Sequence, residues 1–465
     1  MIAESQPAPG RQSAGSRLEV ALETKLPPQL PHDRGGALFV YGTCPDGELA
    51  DRCGGVPQPT AGWRSRHRLG ATHFWSVVPI PARGSRGTAE LELTARTSAG
   101  TDKAAQLGRV ELTEPSPLPS ARATGRPDEL IAVCLATFEP DIELFRAQIE
   151  SLRAQTDRRW VCVVSDDCSD PASFDELLDV IGGDERFRVS RSPERLGFYR
   201  NFERALELAP PEAGLVALCD QDDRWDPDKL ATLRDALGTA QLAYSDQRLV
   251  DAQGRVLRET LWRGRRNNYT DIASLLVANT ITGAAALMRR EVAQLALPFP
   301  DPPGWQFHDH WIGLVALAAG DIAYVDRPLY DYVQHERAIL GHLRPRKRER
   351  GPGVGGRWRA AYFYGYLGRV VTAQALLARC PGIAKRKRYA LERVIAAERS
   401  PRAFAWLALR ALRLVTGANE TLGSELQLAL GIVWCRLAAA TRGDAALPPL
   451  THFDQRRLRR WRSQL

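Results

Sequence analysis

The chain has 465 residues, of which 44% are hydrophobic and 25% are charged, and its formal net charge is +8. This size and composition are typical of a globular protein with two to four domains, and they exclude a disordered or collagen-like chain. The eight cysteines form no CxxC pair and several lie in apolar runs. They therefore predict reduced, buried thiols in a cytoplasmic protein, not a disulfide frame or a zinc site.

The two ends of the chain differ from its middle. Residues 1–30 are rich in Pro, Gln, Ser and Gly, which predicts a disordered N-terminus without a secretory signal. From His342 onward 25 Lys and Arg stand against 7 Asp and Glu, a balance of +18 that leaves −10 for the rest of the chain. The longest uncharged run, residues 272–288, is interrupted by Ser, Asn and Thr, so no transmembrane helix is predicted.

Residues 31–113 predict a small all-β domain. Short β-rich runs separated by Gly and Pro turns cover residues 37–41, 73–78, 88–95 and 108–112. This pattern is typical of a small antiparallel sandwich or barrel. Nothing in it indicates chemistry, so we expect an accessory or carbohydrate-contacting role. Residues 114–127 contain four prolines and predict a linker.

After the linker the periodicity changes to alternating strands and helices. Apolar strand-like runs cover residues 130–136, 160–164, 187–190 and 215–219. Helical patterns between them cover residues 141–154, 171–180 and 198–208. This order predicts a parallel sheet with right-handed crossovers, in a domain that spans residues 128–341.

The fourth of these strands ends in an acidic turn. Asp220, Asp222 and Asp223 follow the apolar run, and Asp226-Pro227 then predicts the N-cap and first-turn proline of a helix. Carboxylates crowded at the carboxyl end of a strand repel one another unless a cation lies among them, and oxygen ligands favour Mg²⁺ or Mn²⁺. Taken alone, the stretch would be explained more simply as a solvated acidic turn.

Polar clusters follow three of the predicted strands. They are Thr137-Phe138-Glu139, Asp166-Asp167 and Asp220-Gln221-Asp222-Asp223. Because the carboxyl ends of parallel strands share one edge of a sheet, these clusters predict a single ligand site. No GxGxxG motif follows the first strand and there is no Walker lysine motif, so a bound phosphate would need a metal ion or an arginine. Arg195 is the candidate, and its alternative is a surface charge before a helix.

A further polar cluster precedes a predicted apolar helix at residues 312–319. Asp309 lies between His308 and His310 and is followed by Trp311. Desolvation raises the pKa of such a carboxyl while imidazolium lowers it, so its basicity can be tuned for proton abstraction. The alternative is that Asp309 only caps the helix. The run 329–335 alternates like a strand and ends at His335.

Two more strands are predicted at residues 241–245 and 282–288. The second contains Gly283 and three alanines, small residues that would let a ligand approach closely. The Gly-rich run 351–356 follows a basic segment, not a strand, and predicts a flexible loop.

Residues 342–465 predict a basic helical region. Arg399, Arg402, Arg410 and Arg413 fall on one arc of a helix, with apolar residues on the opposite side. This pattern favours peripheral binding to an anionic membrane, and a helical cap packed on the preceding domain is the alternative. The segment has no interleaved aromatic platform, so nucleic-acid binding is not expected.

The ordered motifs between residues 128 and 341 resemble the inverting family 2 glycosyltransferases of GT-A fold. The motifs are Ala136-Thr137-Phe138-Glu139, Val164-Ser165-Asp166-Asp167-Cys168-Ser169-Asp170, Leu196-Gly197-Phe198-Tyr199-Arg200-Asn201-Phe202 and Cys219-Asp220-Gln221-Asp222-Asp223-Arg224-Trp225. The forms His308-Asp309-His310-Trp311 and Tyr332-Val333-Gln334-His335 are similar to the rhamnosyltransferase-like bacterial branch. Glu139 departs from the family, whose members more often have Asn there, as do Ser192 and Arg195.

The resemblance implies a role for each matching residue. The residues implied to bind the nucleotide sugar are Thr137, Glu139, Asp166, Asp167, Arg195, Asp220 and Asp222. The implied ligands of a divalent cation, Mg²⁺ or Mn²⁺, are Asp222, Asp220 and His335. Asp309 is implied to be the catalytic base. The remaining residues implied for the site, near the acceptor or in another role, are Asp223, Trp225, His308, His310 and Trp311.

The function implied is inverting transfer of a sugar from a nucleoside-diphosphate donor to a hydroxyl of a glycan or lipid-linked acceptor, in cell-surface polysaccharide synthesis. The expected location is cytoplasmic, peripheral at the inner face of the plasma membrane. An alternative from another class is a non-catalytic nucleotide- or glycan-binding protein that keeps a similar fold.

Overall fold

The structure is a computed structural model. It describes residues 21–22, 26–43, 52–55, 73–96, 102–114, 129–262, 267–302, 307–335, 354–410 and 422–442. Residues 1–20, residues 115–127 of the predicted linker, Arg413 and the chain end at 443–465 lie outside the described residues. The predicted disordered N-terminus extends too far, because residues 21–22 and 29–31 form strands.

Two small sheets form the N-terminal part of the described chain. Their strands are β1 (Ala21–Leu22), β2 (Gln29–Pro31), β3 (Gly36–Thr43), β4 (Arg52–Gly55), β5 (His73–Ile80), β6 (Gly87–Arg96) and β7 (Asp102–Thr113). The order is β1-β3-β5 in one sheet and β2-β7-β6-β4 in the other. Neighbouring strands are antiparallel except β2 and β7. Val40, Ile80, Leu91 and Val110 share one apolar core across the two sheets, as the β-rich pattern predicts.

A larger α/β unit follows. Its strands are β8 (Leu130–Thr137), β9 (Trp160–Asp166), β10 (Phe187–Arg191), β11 (Ala213–Cys219), β12 (Arg224–Trp225), β13 (Leu242–Asp251), β14 (Val256–Arg258), β15 (Ala286–Arg289) and β16 (Ile322–Gln334). Its helices are α1 (Ile142–Arg153), α2 (Pro171–Ile181), α3 (Phe198–Glu207), α4 (Lys229–Leu237), α5 (Ile272–Val277), α6 (Arg290–Ala296) and α7 (His308–Ala319). The strands and helices predicted between residues 130 and 208 are confirmed.

The central sheet has the order β10-β9-β8-β11-β15-β13-β16-β12, with β14 paired to β13. The first four strands are parallel, and β13 and β16 are parallel to each other. β15 runs antiparallel between β11 and β13, so the sheet is mixed. The predicted class, a mostly parallel sheet of GT-A type flanked by helices, is confirmed. The carboxyl ends of β8, β9 and β11 lie along one edge.

Two local predictions in this unit are wrong. The helix after the acidic turn begins at Lys229, and Asp226-Pro227 forms a turn in which the Lys229 amide donates to the Asp226 carbonyl at 3.1 Å. Before this turn, Arg224–Trp225 pairs with β16. The strand predicted at 282–288 starts only at Ala286, because a 3₁₀ turn occupies Gly283–Ala285.

The C-terminal described residues are helical, as predicted. The elements are α8 (Val354–Ala360), a π-helix (Ala361–Leu367), α9 (Gly368–Arg379), α10 (Lys385–Ala396), α11 (Pro401–Arg410) and α12 (Leu422–Arg442). The Gly-rich run 351–356 is not wholly a loop, because α8 begins inside it at Val354.

These helices pack on the α/β unit. Tyr362, Leu376, Leu407 and Ile432 belong to the same buried core as Val133 of β8. Of the two interpretations of the basic region, the described helices therefore match the packed cap. Within the described ranges, no helix is both long enough and apolar enough to cross a membrane.

The N-terminal sheets contact the same core through β3. A Cβ at Gly35 would lie 2.5 Å from the Cβ of Ala378, so only glycine allows the two backbones to approach this closely. The Arg379 guanidinium donates to the Gly35 carbonyl at 3.0 Å, and Arg34 donates to the Leu297 carbonyl at 2.9 Å. The described parts of the N-terminal sheets thus pack against both α9 and the central unit.

Candidate active site

The three polar strand ends are hydrogen-bonded to one another. The Thr137 hydroxyl donates to Asp166 at 3.2 Å, and the Asp167 amide donates to the Thr137 carbonyl at 2.9 Å. The Gln221 side chain closes the gap to Phe138, accepting from its amide at 2.8 Å and donating to its carbonyl at 3.2 Å. Separate acidic turns of the sequence therefore form one continuous edge.

Asn201 ties this edge to α3, and sequence reasoning gave it no role. Its buried amide donates to the carbonyls of Thr137 at 3.1 Å and Ser165 at 2.9 Å. The Ser165 hydroxyl donates back to the Asn201 side-chain oxygen at 2.7 Å. One side chain thus fixes the spacing between β8 and β9.

Asp166 and Asp167 have their oxygens occupied by donors of the protein itself. Asp166 is fully buried and accepts from the Ser169 amide at 2.9 Å as well as from Thr137. Asp167 accepts from the amides of Leu196 at 2.6 Å and Gly197 at 2.8 Å. Burial raises the pKa of Asp167, and these two hydrogen bonds oppose that rise. The two carboxylates therefore hold the loops in place.

Glu139 and Arg195 also lie at this end of the edge. Glu139 has φ +42°, a left-handed conformation uncommon for its type, and its carboxylate accepts from the Asp170 amide at 2.6 Å and the Ser173 hydroxyl at 2.9 Å. The Arg195 guanidinium stacks on the ring of Phe138, 3.9 Å from its centroid. Arg195 is exposed at the surface and contacts the site edge through Phe138.

The acidic turn after β11 holds carboxylates that face one another. Burial raises the pKa of Asp220 to about 7, and the negative charges of Asp222 and Asp309 add to this rise. Asp222 lies 2.7 Å from Nε2 of His335, which follows β16. The structure thus brings Asp220, Asp222, Asp309 and His335 together, as the sequence predicted.

Asp223 points into the protein, so its predicted place near the acceptor needs correction. One of its oxygens accepts from the Val333 amide at 3.3 Å, and the other is buried without a hydrogen-bond partner among the described residues. Burial and the charges of Asp220 and Asp222 raise the pKa of Asp223 well above its usual range. The strand pairing of Arg224–Trp225 with β16 turns the Asp223 side chain inward.

Trp225 is buried as well, beneath the acidic turn. The ammonium of Lys229 lies 3.3 Å from the centroid of its ring and 4.7 Å from that of Tyr330. Lys229 is fully buried and donates to the Ala284 carbonyl. Burial lowers the pKa of Lys229 to about 7, while the nearby Asp223 and Asp220 charges oppose that fall. Lys229 is the basic residue under the turn that sequence reasoning missed.

Asp309 lies in the first turn of α7, not at its cap. The N-cap residue is Phe307, and the cap makes no side-chain hydrogen bond. Asp309 accepts from the Asn279 amide group at 3.0 Å, the Gly283 amide at 3.2 Å and the His310 amide at 2.6 Å. Burial raises the pKa of Asp309 to about 7, and these hydrogen bonds oppose that rise. Its basicity suits a group that must take a proton near neutral pH.

Gly283 matters for a different reason from the one expected. A Cβ at this position would lie 2.7 Å from Nε2 of His308 and 3.3 Å from the Cβ of Asp309. Only glycine therefore allows the Gly283 amide to reach Asp309. Asn279 and Gly283 come from an irregular segment, which is why no periodic pattern singled them out.

His308, His310 and Trp311 support Asp309 from within the core, which corrects their predicted place near the acceptor. His308 stacks on Phe202 with ring centroids 3.6 Å apart, and burial lowers its pKa to about 3. Nε2 of His310 lies 2.6 Å from the Leu275 carbonyl, and burial lowers the pKa of His310 to about 3 as well. The Trp311 indole donates to the Ala296 carbonyl at 2.8 Å. Both histidines are neutral at physiological pH.

The residues present fit a divalent cation only in part. Among the residues that the structure describes, no group of three or more His, Cys, Asp or Glu side chains is arranged to hold a metal ion. Asp222 and His335 are adjacent, and the same turn holds Asp220, a carboxyl whose pKa is raised by burial and by the charges of Asp222 and Asp309. Mg²⁺ is commonly bound by one or two carboxylates together with substrate phosphates. The donor set therefore fits an ion shared with a phosphorylated ligand.

The central part of the chain is similar to known proteins. Residues 133–295 match the family model of glycosyl transferase family 2. The chain is 34% identical over 122 residues to the uncharacterized protein y4gI of Sinorhizobium fredii, which covers 25% of this chain and 13% of that protein. It is 28% identical over 154 residues to TuaG of Bacillus subtilis, whose name assigns it to teichuronic acid biosynthesis as a glycosyltransferase. That match covers 32% of this chain and 59% of TuaG.

Two solved structures are similar in shape. TarS of S. aureus, residues 1–349 in complex with UDP-GlcNAc, has a TM-score of 0.43 and 16% identity over 72% of this chain and 90% of that one. The mannosyltransferase PcManGT of Pyrobaculum calidifontis, in complex with GDP-Man and Mn²⁺, has a TM-score of 0.35 and 17% identity over 70% of this chain and 89% of that one. The family match covers residues 133–295, which is less than half of the chain.

Proposed function

We propose that this chain is an inverting glycosyltransferase that moves a sugar from a nucleoside-diphosphate donor to a hydroxyl of an acceptor. The observation that carries the proposal is the meeting of Asp220 and Asp222 with Asp309, whose pKa burial raises to about 7. The family 2 match over residues 133–295 supports it independently. A single base, Asp309, beside these carboxylates is what a single displacement at the anomeric carbon requires.

The proposed reaction is a direct substitution at the anomeric carbon. The acceptor oxygen forms a bond to that carbon while the bond to the donor's diphosphate breaks, and the nucleoside diphosphate leaves with the bonding electrons. Asp309 takes the proton of the acceptor hydroxyl. The transition state resembles an oxocarbenium ion, and attack from the face opposite the leaving group inverts the configuration.

Asp222, Asp220 and His335 would hold a divalent cation together with the donor diphosphate. When bound, Mg²⁺ or Mn²⁺ supplies positive charge that offsets the charge developing on the leaving group. The paired Asp222 and His335 side chains, 2.7 Å apart, support this assignment. The role of the protein is to hold these oxygens and this imidazole at the edge of the central sheet.

The nucleoside of the donor would bind at the edge formed by Thr137, Glu139, Asp166 and Asp167. Because the carboxylates there accept hydrogen bonds from their own loops, we assign them to shaping the pocket and not to direct contact with the base. Arg195, stacked on Phe138, is the cation proposed to face the donor phosphates.

The acceptor and the setting are proposed from the resemblance to TuaG. A glycan or lipid-linked acceptor in cell-surface polysaccharide synthesis is consistent with a relative named for teichuronic acid biosynthesis. Transfer of a hexosyl or deoxyhexosyl group, as in the rhamnosyltransferase-like branch, follows from the His-Asp-His-Trp and Tyr-Val-Gln-His motifs. The exposed arginines at positions 399 and 402 leave peripheral contact with an anionic membrane as part of the proposal.

The proposed division of the chain assigns a segment to each role. Residues 31–113 are an accessory β-domain, residues 128–341 are the transferase domain, and residues 342–465 are the helical region.

A donor screen tests the proposal. The full chain is incubated with Mn²⁺ and a panel of nucleoside-diphosphate sugars, and release of nucleoside diphosphate is measured with and without candidate glycan acceptors. We expect release from one donor, stimulated by acceptor, and a product of inverted anomeric configuration by NMR. A product with retained configuration, or absence of release from every donor, would overturn the proposal.

A further inference from the structure

The C-terminal helices contact α7 directly near its end, and they reach the neighbourhood of Asp309 by way of a short helix, α5. This helix is buried along its whole length, and Asn279, which donates to Asp309 at 3.0 Å, lies two residues beyond its end. The His310 ring contacts the Leu275 carbonyl of α5 at 2.6 Å. The position of α5 therefore determines where Asn279 and the start of α7 lie.

Arg410 of α11 holds the beginning of α5. Its guanidinium donates to the Asp271 carboxylate at 3.2 and 3.3 Å and to the Ser274 hydroxyl at 2.7 Å. Asp271 in turn caps α5, accepting from the amides of Ala273 at 3.0 Å and Ser274 at 3.1 Å. Sequence periodicity placed Arg410 on an exposed basic face, whereas the structure turns it inward.

The other side of Arg410 is anchored in the C-terminal region itself. Its Nε donates to Glu425 of α12 at 3.0 Å, and the Glu425 side chain is fully buried. The end of α5 is held in the same way, because Arg369 donates to the Val277 carbonyl at 3.2 Å. Two arginines of the C-terminal helices thus bracket α5.

We propose that Arg410 is a positioning residue for Asp309, and that the C-terminal helices hold the catalytic base in place through α5. The chain of contacts runs from Glu425 through Arg410 to Asp271 and Ser274, and from the end of α5 through Asn279 to Asp309. The inference rests on the proposed function of Asp309 as the base. It gives the helical region a role in catalysis that does not depend on any membrane.

The first test separates turnover from donor binding. Replacing Arg410 alone would leave Glu425 as a buried, unpaired carboxylate, so the variant is Arg410→Gln with Glu425→Gln. We expect kcat with the best donor of the wild type to fall roughly tenfold or more, since small displacements of a catalytic group have large effects. The affinity for UDP and for GDP in the presence of Mn²⁺ should stay within about twofold.

Three further variants sharpen this test. Arg402→Gln lies on the exposed side of the same helix and should leave both quantities unchanged. Ser274→Ala removes only the 2.7 Å hydrogen bond and should lower kcat less than the double variant. Arg410→Lys keeps the charge but lacks the planar guanidinium whose separate nitrogens reach Glu425 and Ser274, so it should give an intermediate kcat. Equal kcat in the double variant and the wild type would overturn the proposal. A fall in kcat matched by an equal fall in the fraction of molecules that bind nucleotide would overturn it too.

Hydrogen exchange gives a readout that needs no activity. The amides of Gly283 and His310 both donate to Asp309. We expect the segments that contain them to exchange faster in the double variant than in the wild type, and to be unchanged in Arg402→Gln. If the wild type turns over no donor, the proposed function fails. Hydrogen exchange of the Gly283 and His310 amides still tests whether Arg410 positions Asp309. Unchanged exchange in the double variant would overturn the inference.

Discussion

Two sets of carboxylates lie along the same edge of the central sheet, and the protein surrounds them differently. Asp166 and Asp167, the loop-holding pair, each accept from backbone amides of neighbouring loops. Asp220, Asp222, Asp223 and Asp309, the crowded set, differ because their charges also act on one another, although Asp223 and Asp309 accept backbone amides as well. Burial and the charges of Asp222 and Asp309 raise the pKa of Asp220 to about 7, and the charges of Asp220 and Asp222 help to raise the pKa of Asp223.

The difference lies in where the compensating positive charge comes from. Backbone N–H groups of the folded chain satisfy the loop-holding pair, so these carboxylates contribute to stability. The described part of the chain offers the crowded set the buried amine of Lys229 and a hydrogen bond between His335 and Asp222. A cation or a proton brought by a bound ligand would stabilise such a group of carboxylates. Substitutions in the first set should therefore affect folding, and substitutions in the second set should affect function.

The largest effect is expected for Asp309→Asn. Asparagine keeps the size of the side chain but cannot accept a proton, so kcat should fall on the order of 10²-fold or more, the scale of a general base. Binding of UDP or GDP with Mn²⁺, measured by calorimetry, should change by less than about twofold. Unchanged turnover would remove Asp309 from the role of base.

Asp222→Ala should show the metal dependence of the crowded set. We expect roughly ten- to hundredfold weaker binding of nucleoside diphosphate in the presence of Mn²⁺, and little change in its absence. The matched control is Asp228→Ala, a partly exposed carboxylate paired with Arg327 away from the site. Equal nucleotide affinity with and without Mn²⁺ in the wild type would count against this assignment.

Asp167→Ala tests the loop-holding pair. It leaves the amides of Leu196 and Gly197 without their acceptor, so the free energy of unfolding should fall by roughly 1–2 kcal/mol. Chemical denaturation measures this loss. The response of nucleotide binding to Mn²⁺ should be kept in the folded protein, and its disappearance would mean that the two sets are not separate.

Asp220→Asn should have the smallest effect and the opposite sign. The pKa of Asp220 is about 7 in the folded protein and close to its ordinary value of 3.8 when unfolded. The folded state therefore binds the proton more tightly, and this group makes the protein less stable as pH rises from 4 to 7. Without metal, the variant should be more stable than the wild type at pH 8 by on the order of 1 kcal/mol, and the gain should vanish near pH 4. A loss of stability at pH 8 would contradict this.

The sequence predicted the first half of the central unit well, because its strands and helices are strongly periodic. Each predicted element from Leu130 to Leu208 is present, and Asp141 and Asp170 cap the helices that follow them. The edge formed by three strand ends could be predicted because parallel strands end on one side.

The directions of individual side chains could not be predicted in this way. Asp223 and Trp225 point inward because Arg224–Trp225 pairs with Asp331 and Tyr330 of a distant strand, which no local pattern reveals. Arg410 lies on the predicted basic face, but its partners Asp271 and Glu425 come from two other helices. The partners of Asp309 come from an irregular segment around Gly283. These features depend on contacts between distant segments.

The pH dependence of kcat tests most directly whether Asp309 is the catalytic base. At saturating donor and Mn²⁺, burial of Asp309 predicts that kcat of the wild type rises with pH, with a midpoint near its pKa of about 7, and levels off above it. The residual rate of Asp309→Asn should lack this limb between about pH 5.5 and about pH 8.5. A flat profile for the wild type, or the same rising limb in Asp309→Asn, would contradict the assignment of the base.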